Sequence, residues 1–372
     1  MTLTLAHTPL HAWHTAQGAK MAEFGGWSMP IQYGSIVDEH VATRTAVGLF
    51  DISHMGRLEF RGTAAGPFLD RLLTRPVSNL AEGRVRYALL TNSHGGTIDD
   101  VLVTHLADEK GPLFLMVVNA GNLQKVLAWL GDCRKAFSFG EADLEVQDQT
   151  YRQAMFAIQG PQAGGIMTSV CDVQPTEMKY YSACFAQIDA CAGVVSRTGY
   201  TGEEGWELVV PAAAAENLWC RLFEKCQQLG GTSIGLAARD TLRLEAAMPL
   251  YGHELSEDIS PLQAGLDFAV ELENPQFVGG DALLQLAATG TFPRRVGLAT
   301  AGRRVPRAGY PILAGGRVVG AVTSGTHSPT LGRPIAMGYV EAAFTKAGSA
   351  VTIDMRGREE AAEVVELPFY RR

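Results

Sequence analysis

The chain has 372 residues, 31 Lys and Arg against 39 Asp and Glu, a net charge of −8 and 47% hydrophobic residues. A chain this long exceeds one small core and fits two or three domains, and its apolar content is that of a folded protein. The acidic balance gives no basic footprint for duplex nucleic acid or anionic lipid, so neither nucleic acid nor membrane is expected as a partner.

In chain order, residues 8–34 are rich in Gly, Pro and aromatics and predict an irregular opening. Residues 35–47 predict a helix with Val37, Val41 and Val47 apolar. Residues 49–61 alternate like a strand turning at Gly56. Residues 65–74 predict a helix that buries Phe68, Leu69, Leu72 and Leu73. A hairpin follows: strand 87–90, turn 91–96 and returning strand 98–106. Then come a strand at 113–118 and a helix at 120–130. A second strand-and-helix group runs from Tyr151 to about Met248, with a strand at 205–210 and helices at 214–229 and 236–247. A boundary is expected near residues 273–286, dividing the chain into 1–285 and 286–372. Beyond Arg294, short strands at 296–298, 317–324, 336–340 and 350–353 predict a small all-β domain.

The six cysteines (Cys133, Cys171, Cys184, Cys191, Cys220 and Cys226) form no CxxC pair. They predict reduced, mostly buried thiols. The opening residues 1–5 lack a charged n-region and a long apolar stretch, and no run is long enough for a membrane helix. A cytoplasmic location is expected. The chain lacks the phosphate-binding GxxxxGK[ST], the dinucleotide-binding GxGxxG, the HExxH zinc pair and the GxSxG nucleophile elbow. Without further information it reads as an α/β enzyme or binding protein of unspecified chemistry.

Several blocks, in order, carry more. They include Phe24-Gly25-Gly26-Trp27, Phe50-Asp51-Ile52-Ser53-His54-Met55-Gly56 and Gly95-Gly96-Thr97-Ile98-Asp99-Asp100. Later come Gly199-Tyr200-Thr201-Gly202 running to Trp206-Glu207, then Gly235-Leu236-Ala237-Ala238-Arg239-Asp240 and Met248-Pro249-Leu250-Tyr251-Gly252-His253-Glu254. From about residue 8 to the C-terminus this ordered set resembles the T-protein family of the glycine cleavage system, the aminomethyltransferases. The resemblance implies an α+β multidomain fold, a cloverleaf of two sequence-interleaved α/β domains and a C-terminal β-barrel around a central folate-binding cavity. It implies transfer of a one-carbon unit from the aminomethyl-dihydrolipoyl arm of a lipoylated H-protein to tetrahydrofolate. Ammonia is released, and no metal or prosthetic group is expected.

The site residues follow from the same resemblance. In a strand, Asp100 faces opposite to Asp99; the family points to Asp100 as the catalytic carboxylate, whereas two Asp after a Gly-Gly turn are otherwise ordinary. Glu207, beside Trp206 and Leu208, suits the donor edge of a pterin, or else a strand residue facing solvent. Arg239 is implied at the folate, or else joins a surface ion network with Arg243 and Glu245. Tyr87 and Tyr200 suit a flat ring. Tyr180, or its neighbour Tyr181, and Arg371, facing the glutamate tail of folate, complete the set. A folate-dependent demethylase for another one-carbon donor is the alternative. A folate-binding iron–sulfur assembly factor is disfavoured, because Arg197-Thr198-Gly199-Tyr200 lacks the Cys of that group's Lys-Gly-Cys-Tyr signature.

Overall fold

The computed structural model describes residues 4–140 and 143–372. Residues 1–3, part of the opening read above for a signal peptide, lie outside them. The chain divides into two compact units. The first holds the chain up to Ala88 with Asp100–Gly199 and Glu203–Arg239, and the second holds Leu89–Asp99, Tyr200–Gly202 and Asp240–Arg372.

The opening is more regular than its composition predicts. It holds β1 (Ala6–His7), α1 (His11–Ala16), β2 (Lys20–Phe24) and β3 (Trp27–Gln32). The three strands form a sheet in the order β1-β3-β2. Gly25 and Gly26 make the β2–β3 turn at φ 57° and 86°, a conformation only Gly adopts without strain. His14 pins α1 to the next strands: its Nε2 lies 2.8 Å from Asp51 Oδ2 and its Nδ1 lies 2.7 Å from Tyr33 Oη.

Helix α2 (Ile36–Thr45) is capped by Ser35, whose Oγ accepts from Asp38 N. Its apolar residues do not mark its buried face. Val37 and Val41 are exposed at 52% and 41%, while Glu39, His40 and Thr43 are buried. Glu39 decides the rotation. Its carboxylate accepts from the backbone N–H of Tyr33 (2.7 Å), Gly34 (3.1 Å) and the buried Gly235 (2.8 Å), tying two loops to the helix. Glu39→Ala is therefore expected to lower unfolding stability by about 2–4 kcal/mol, since each orphaned buried donor costs ~1–3 kcal/mol. Val37→Lys and Val41→Lys are each expected to stay within ~0.5 kcal/mol in urea unfolding.

The chain continues through β4 (Gly48–Asp51), β5 (Gly56–Arg61), α3 (Ala65–Asp70), β6 (Arg84–Thr91), β7 (Thr97–Asp108), β8 (Gly111–Val118), α4 (Leu123–Ala136) and β9 (Glu145–Asp148). It then forms β10 (Gln153–Gln159), α5 (Ala163–Val170), β11 (Ala183–Ile188), β12 (Cys191–Ser196), β13 (Gly205–Pro211), α6 (Ala215–Gln228) and β14 (Thr232–Ser233). The run read as one strand at 49–61 is two: β4 joins a six-stranded sheet, β11-β12-β13-β10-β4-β14, and β5 a five-stranded one, β6-β7-β8-β5-β9. Phe68, Leu69, Leu72 and Leu73 are fully buried, but α3 ends at Asp70, so Leu72 and Leu73 lie in the turn beyond it and not on the expected helix. The six-stranded sheet buries Phe156, Trp206 and Leu208 against Ile166 of α5 and Leu218 and Trp219 of α6.

The last stretch holds α7 (Leu236–Glu245), α8 (Gly280–Thr289), β15 (Arg294–Thr300), β16 (Pro311–Ala314), β17 (Arg317–Ser328), β18 (Arg333–Val340), β19 (Ala350–Asp354) and β20 (Glu359–Val365). The last six strands close into a barrel in the order β15-β18-β17-β16-β19-β20, around Leu298, Ile312, Ile353 and Val364. The fold is thus mixed α/β with a closed C-terminal barrel. All six thiols are free, but only Cys133 and Cys226 are buried and the other four are half-buried, fewer than expected. Among the described residues no helix is long and apolar enough to cross a membrane.

Candidate active site

Two strand carboxylates organise the first unit. In β7, Asp99, Val101 and Val103 point inward with at most 1% exposure, while Asp100 and Leu102 are half-buried on the opposite face. Period-two alternation therefore presents one carboxylate of the pair and hides the other. Tyr87, on the neighbouring strand β6, donates its hydroxyl to Asp100 Oδ2 at 3.1 Å. Asn119 follows the end of β8, and continuing the β7–β8 register from Leu102↔Val117 sets it opposite Asp100. Its Nδ2 donates to Asp100 Oδ1 at 2.8 Å. Burial raises the pKa of Asp100 above the ordinary value of 3.8, and the bonds from Tyr87 and Asn119 oppose that shift. Asn119 was not anticipated; its signal is a polar amide ending an apolar strand in register with a carboxylate.

Glu207 lies mid-strand in β13 between Ala157 of β10 and Ser196 of β12, buried at 7% exposure. A solvent-facing Glu207 is ruled out by that burial. Thr198 donates its hydroxyl to Glu207 Oε2. Burial raises the Glu207 pKa, while Thr198 and the positive charge of Arg239 act against the rise. Arg239, half-buried in the first turn of α7, also lies beside His54. His54 is 2% exposed, its Nδ1 has no partner among the described residues, and burial, then Arg239, depress its pKa to about 3. Its imidazole is neutral across the physiological range.

The Tyr180–Tyr181 turn is stitched to the edge of β6. Val85 N donates to Tyr181 O, and Ala183 N donates to Gly83 O. Tyr181, at φ 58°, is half-buried, and burial, Tyr180, Glu207 and Asp100 together push its pKa up. Tyr180, at 56% exposure, meets Tyr181 edge-on at 4.8 Å, and burial, then Glu207, raise its pKa. Tyr87, Asp100, Tyr180, Tyr181, Glu207 and Arg239 thus all belong to the first unit.

Tyr200 and Arg371 belong to the second unit. Tyr200 donates its hydroxyl to Pro249 O. Arg371 is exposed, with Nη2 3.3 Å from Leu367 O. Among the described residues no group of three or more His, Cys, Asp or Glu side chains is arranged to hold a metal ion.

Residues 10–274 match the GCVT N-terminal domain, and residues 294–371 match the glycine cleavage T-protein C-terminal barrel domain. The chain belongs to the glycine cleavage T-protein family. It is 46% identical to an aminomethyltransferase of Streptomyces avermitilis over 98% of both chains. It is 44% identical to one of Moorella thermoacetica over 99% of this chain and 98% of that one. The crystal structure of the glycine cleavage system aminomethyltransferase T from Bartonella henselae matches at a TM-score of 0.90 and 35% identity, covering 99% and 98% of the two chains. The T-protein function follows: this is a transferase, the aminomethyltransferase of the glycine cleavage system, and a demethylase for another donor is not favoured.

Proposed function

We propose that the cluster on the first unit is the tetrahydrofolate site, and that the aminomethyl group arrives on the dihydrolipoyl arm of a lipoylated H-protein. In the reaction, the methylene carbon forms bonds to N5 and N10 of the folate while its bonds to sulfur and to nitrogen break. The two protons displaced from N5 and N10 leave with the thiol and with ammonia, so atoms and charge balance. Asp100 carries a proton from the folate nitrogen towards the leaving group, and Tyr87 and Asn119 hold its carboxylate in place. Glu207 receives the pterin's ring N–H and exocyclic amine, with Arg239 balancing its charge. Tyr181 and Tyr180 flank the ring. The working compartment is the cytoplasm.

The observation that carries this reading is a buried Glu207, bonded by Thr198 and favoured in its charged form by Arg239, on the same unit as the half-buried Asp100 held by Tyr87 and Asn119. A buried acid with an incomplete set of donors is costly unless a ligand completes it. Glu207→Ala and Arg239→Ala are each expected to weaken tetrahydrofolate binding by about ten- to a hundredfold, since a charge-assisted hydrogen bond contributes ~1.5–3 kcal/mol. Equilibrium fluorescence titration measures this, and unchanged affinity in both variants would relocate the pocket. The activity itself is tested by mixing the protein with aminomethyl-loaded H-protein and tetrahydrofolate and following ammonia.

A further inference from the structure

Among the described residues, Glu207 has one hydrogen-bond donor, the Thr198 hydroxyl on Oε2, and Oε1 accepts from none. Its cross-strand neighbours, Ala157 of β10 and Ser196 of β12, are small. The orientation of the carboxylate therefore depends on where Thr198 stands. Thr198 is buried and lies two residues past the end of β12. Continuing the β12–β13 register from Ser196↔Glu207 sets it opposite Gly205, on the sheet face that carries Glu207. On the other side of Gly205, the β10–β13 register sets the buried Gln159 on that same face. Gln159, Gly205 and Thr198 thus form one row, and its middle member has no side chain.

The Gln159 amide fills the gap. A Cβ on Gly205 would come within 2.2 Å of Nε2, and one on Gly199 within 2.1 Å of Oε1. Crossing over Gly205, Gln159 Nε2 donates to Thr198 O at 3.1 Å. Neither glycine has a positive φ, so the close approach of the amide, and not backbone freedom, requires Gly at both positions. The residue before Thr198 is tied down as well: Tyr181 N donates to Arg197 O, Arg197 N to Ser182 O, and Arg197 Nη1 to Met178 O. Against the burial that raises the Glu207 pKa stand the Thr198 hydroxyl and the charge of Arg239. Tyr180 and Tyr181 also feel Glu207, but burial raises their own pKa values, so both phenols stay neutral.

We infer that Gln159 and Thr198 are positioning residues for the pterin-binding carboxylate: the amide fixes the Thr198 backbone, and the Thr198 hydroxyl holds Oε2 of Glu207 and leaves Oε1 open to the ligand's donors. The inference rests on the folate assignment made above, and its test separates the two. Full-length wild type, Thr198→Val, Thr198→Ser, Gln159→Met, Glu207→Ala and Thr198→Val/Glu207→Ala are titrated with tetrahydrofolate across pH. Thr198→Val is nearly isosteric and should weaken binding by about five- to thirtyfold at neutral pH, between the contributions of a neutral and a charge-assisted hydrogen bond. Losing the donor favours the neutral acid, so the decline of affinity with falling pH should begin at a higher pH than in wild type. Thr198→Ser keeps the hydroxyl and should bind within about twofold of wild type. Gln159→Met should weaken binding and move the acid limb in the same direction as Thr198→Val. In the Glu207→Ala background Thr198→Val should change the affinity by less than about twofold, because residues acting through one another are not additive. Wild-type affinity and acid limb in Thr198→Val overturn the inference, as does wild-type binding by Gln159→Met. An equal loss with and without Glu207 also overturns it, since Thr198 would then act through general packing. If Glu207→Ala binds tetrahydrofolate as tightly as wild type, the folate assignment itself falls and takes this inference with it.

Discussion

Asp100→Asn is expected to lower the turnover number by about 10²–10⁴-fold, the range a positioned proton-transfer group contributes. The change is nearly isosteric, and both neighbours keep a bond: Tyr87 can still donate to the amide oxygen, and Asn119 can rotate its amide to match. The fold and the affinity for tetrahydrofolate should therefore hold to within about threefold, because pterin recognition is assigned to Glu207 and Arg239. The pH profile gives a second readout. Burial sets the Asp100 pKa above 3.8 in the folded protein. A base must be ionised, so wild-type turnover should fall as pH drops through that raised value, and the variant's residual activity should lack this limb. Ammonia release in single-turnover mixing with loaded H-protein measures the chemical step directly. Near-wild-type turnover with the acid limb intact would remove Asp100 from the mechanism and leave Asp99, buried on the opposite face, in need of a new account.

The contrast between Asp99 and Asp100 illustrates what local pattern carries. A period of two decides which of two adjacent carboxylates shares a face with Leu102, and burial in β7 follows that rule through Val103. Apolar spacing likewise marked residues 68, 69, 72 and 73 as buried, although the helix expected to carry all four ends at Asp70. Hydrophobicity was no guide in α2, where Val37 and Val41 are exposed and Glu39 is buried to meet N–H groups of Tyr33 and Gly34 just before the helix and of the distant Gly235. Nothing near residue 39 in sequence announces Gly235. The barrel was legible from its Gly- and Pro-punctuated apolar strands. Two members escaped: β16 is only four residues long, and β20 carries Glu359, Glu360 and Glu363. A closed sheet lets a strand keep a charged outer face, so weak hydrophobicity does not exclude it. The site residues depended on the family resemblance, because no spacing rule links residue 100 to residue 207. Asn119 and His54 required coordinates. Asn119 bonds a carboxylate on the neighbouring strand, and His54 feels the charge of a guanidinium some 185 positions along the chain.

Arg243→Ala is expected to cost about 3–5 kcal/mol of stability, the range for removing one member of a buried ion pair. Arg243 is 1% exposed, and its guanidinium is fully engaged within the second unit. It bonds Asp240 Oδ1 (2.8 Å), Glu254 Oε2 (2.8 Å), Ser324 Oγ (2.8 Å) and Met248 O (3.2 Å), joining α7 to β17 and to the loop after α7. Glu254, with no exposure, also accepts from Leu250 N and Thr323 Oγ1. Burial alone would raise its pKa, but Arg243 and these donors hold it below the ordinary 4.5. In wild type this carboxylate therefore adds stability above its unfolded pKa, and that contribution disappears as pH falls through the depressed folded value. Deleting Arg243 leaves burial dominant, so the folded pKa of Glu254 should move above its unfolded one. The sign then reverses: the variant should be relatively more stable below the unfolded pKa and lose that advantage as pH rises through the raised folded value. Urea midpoints of the full chain between pH 4 and pH 8 read both the loss and the slope. Arg243→Ala/Glu254→Leu should recover part of the loss and show no such slope, because the uncompensated charge is gone. A loss under about 1 kcal/mol with a wild-type pH slope would show that Glu254 is neutralised by the surrounding hydroxyls and amides rather than by the guanidinium.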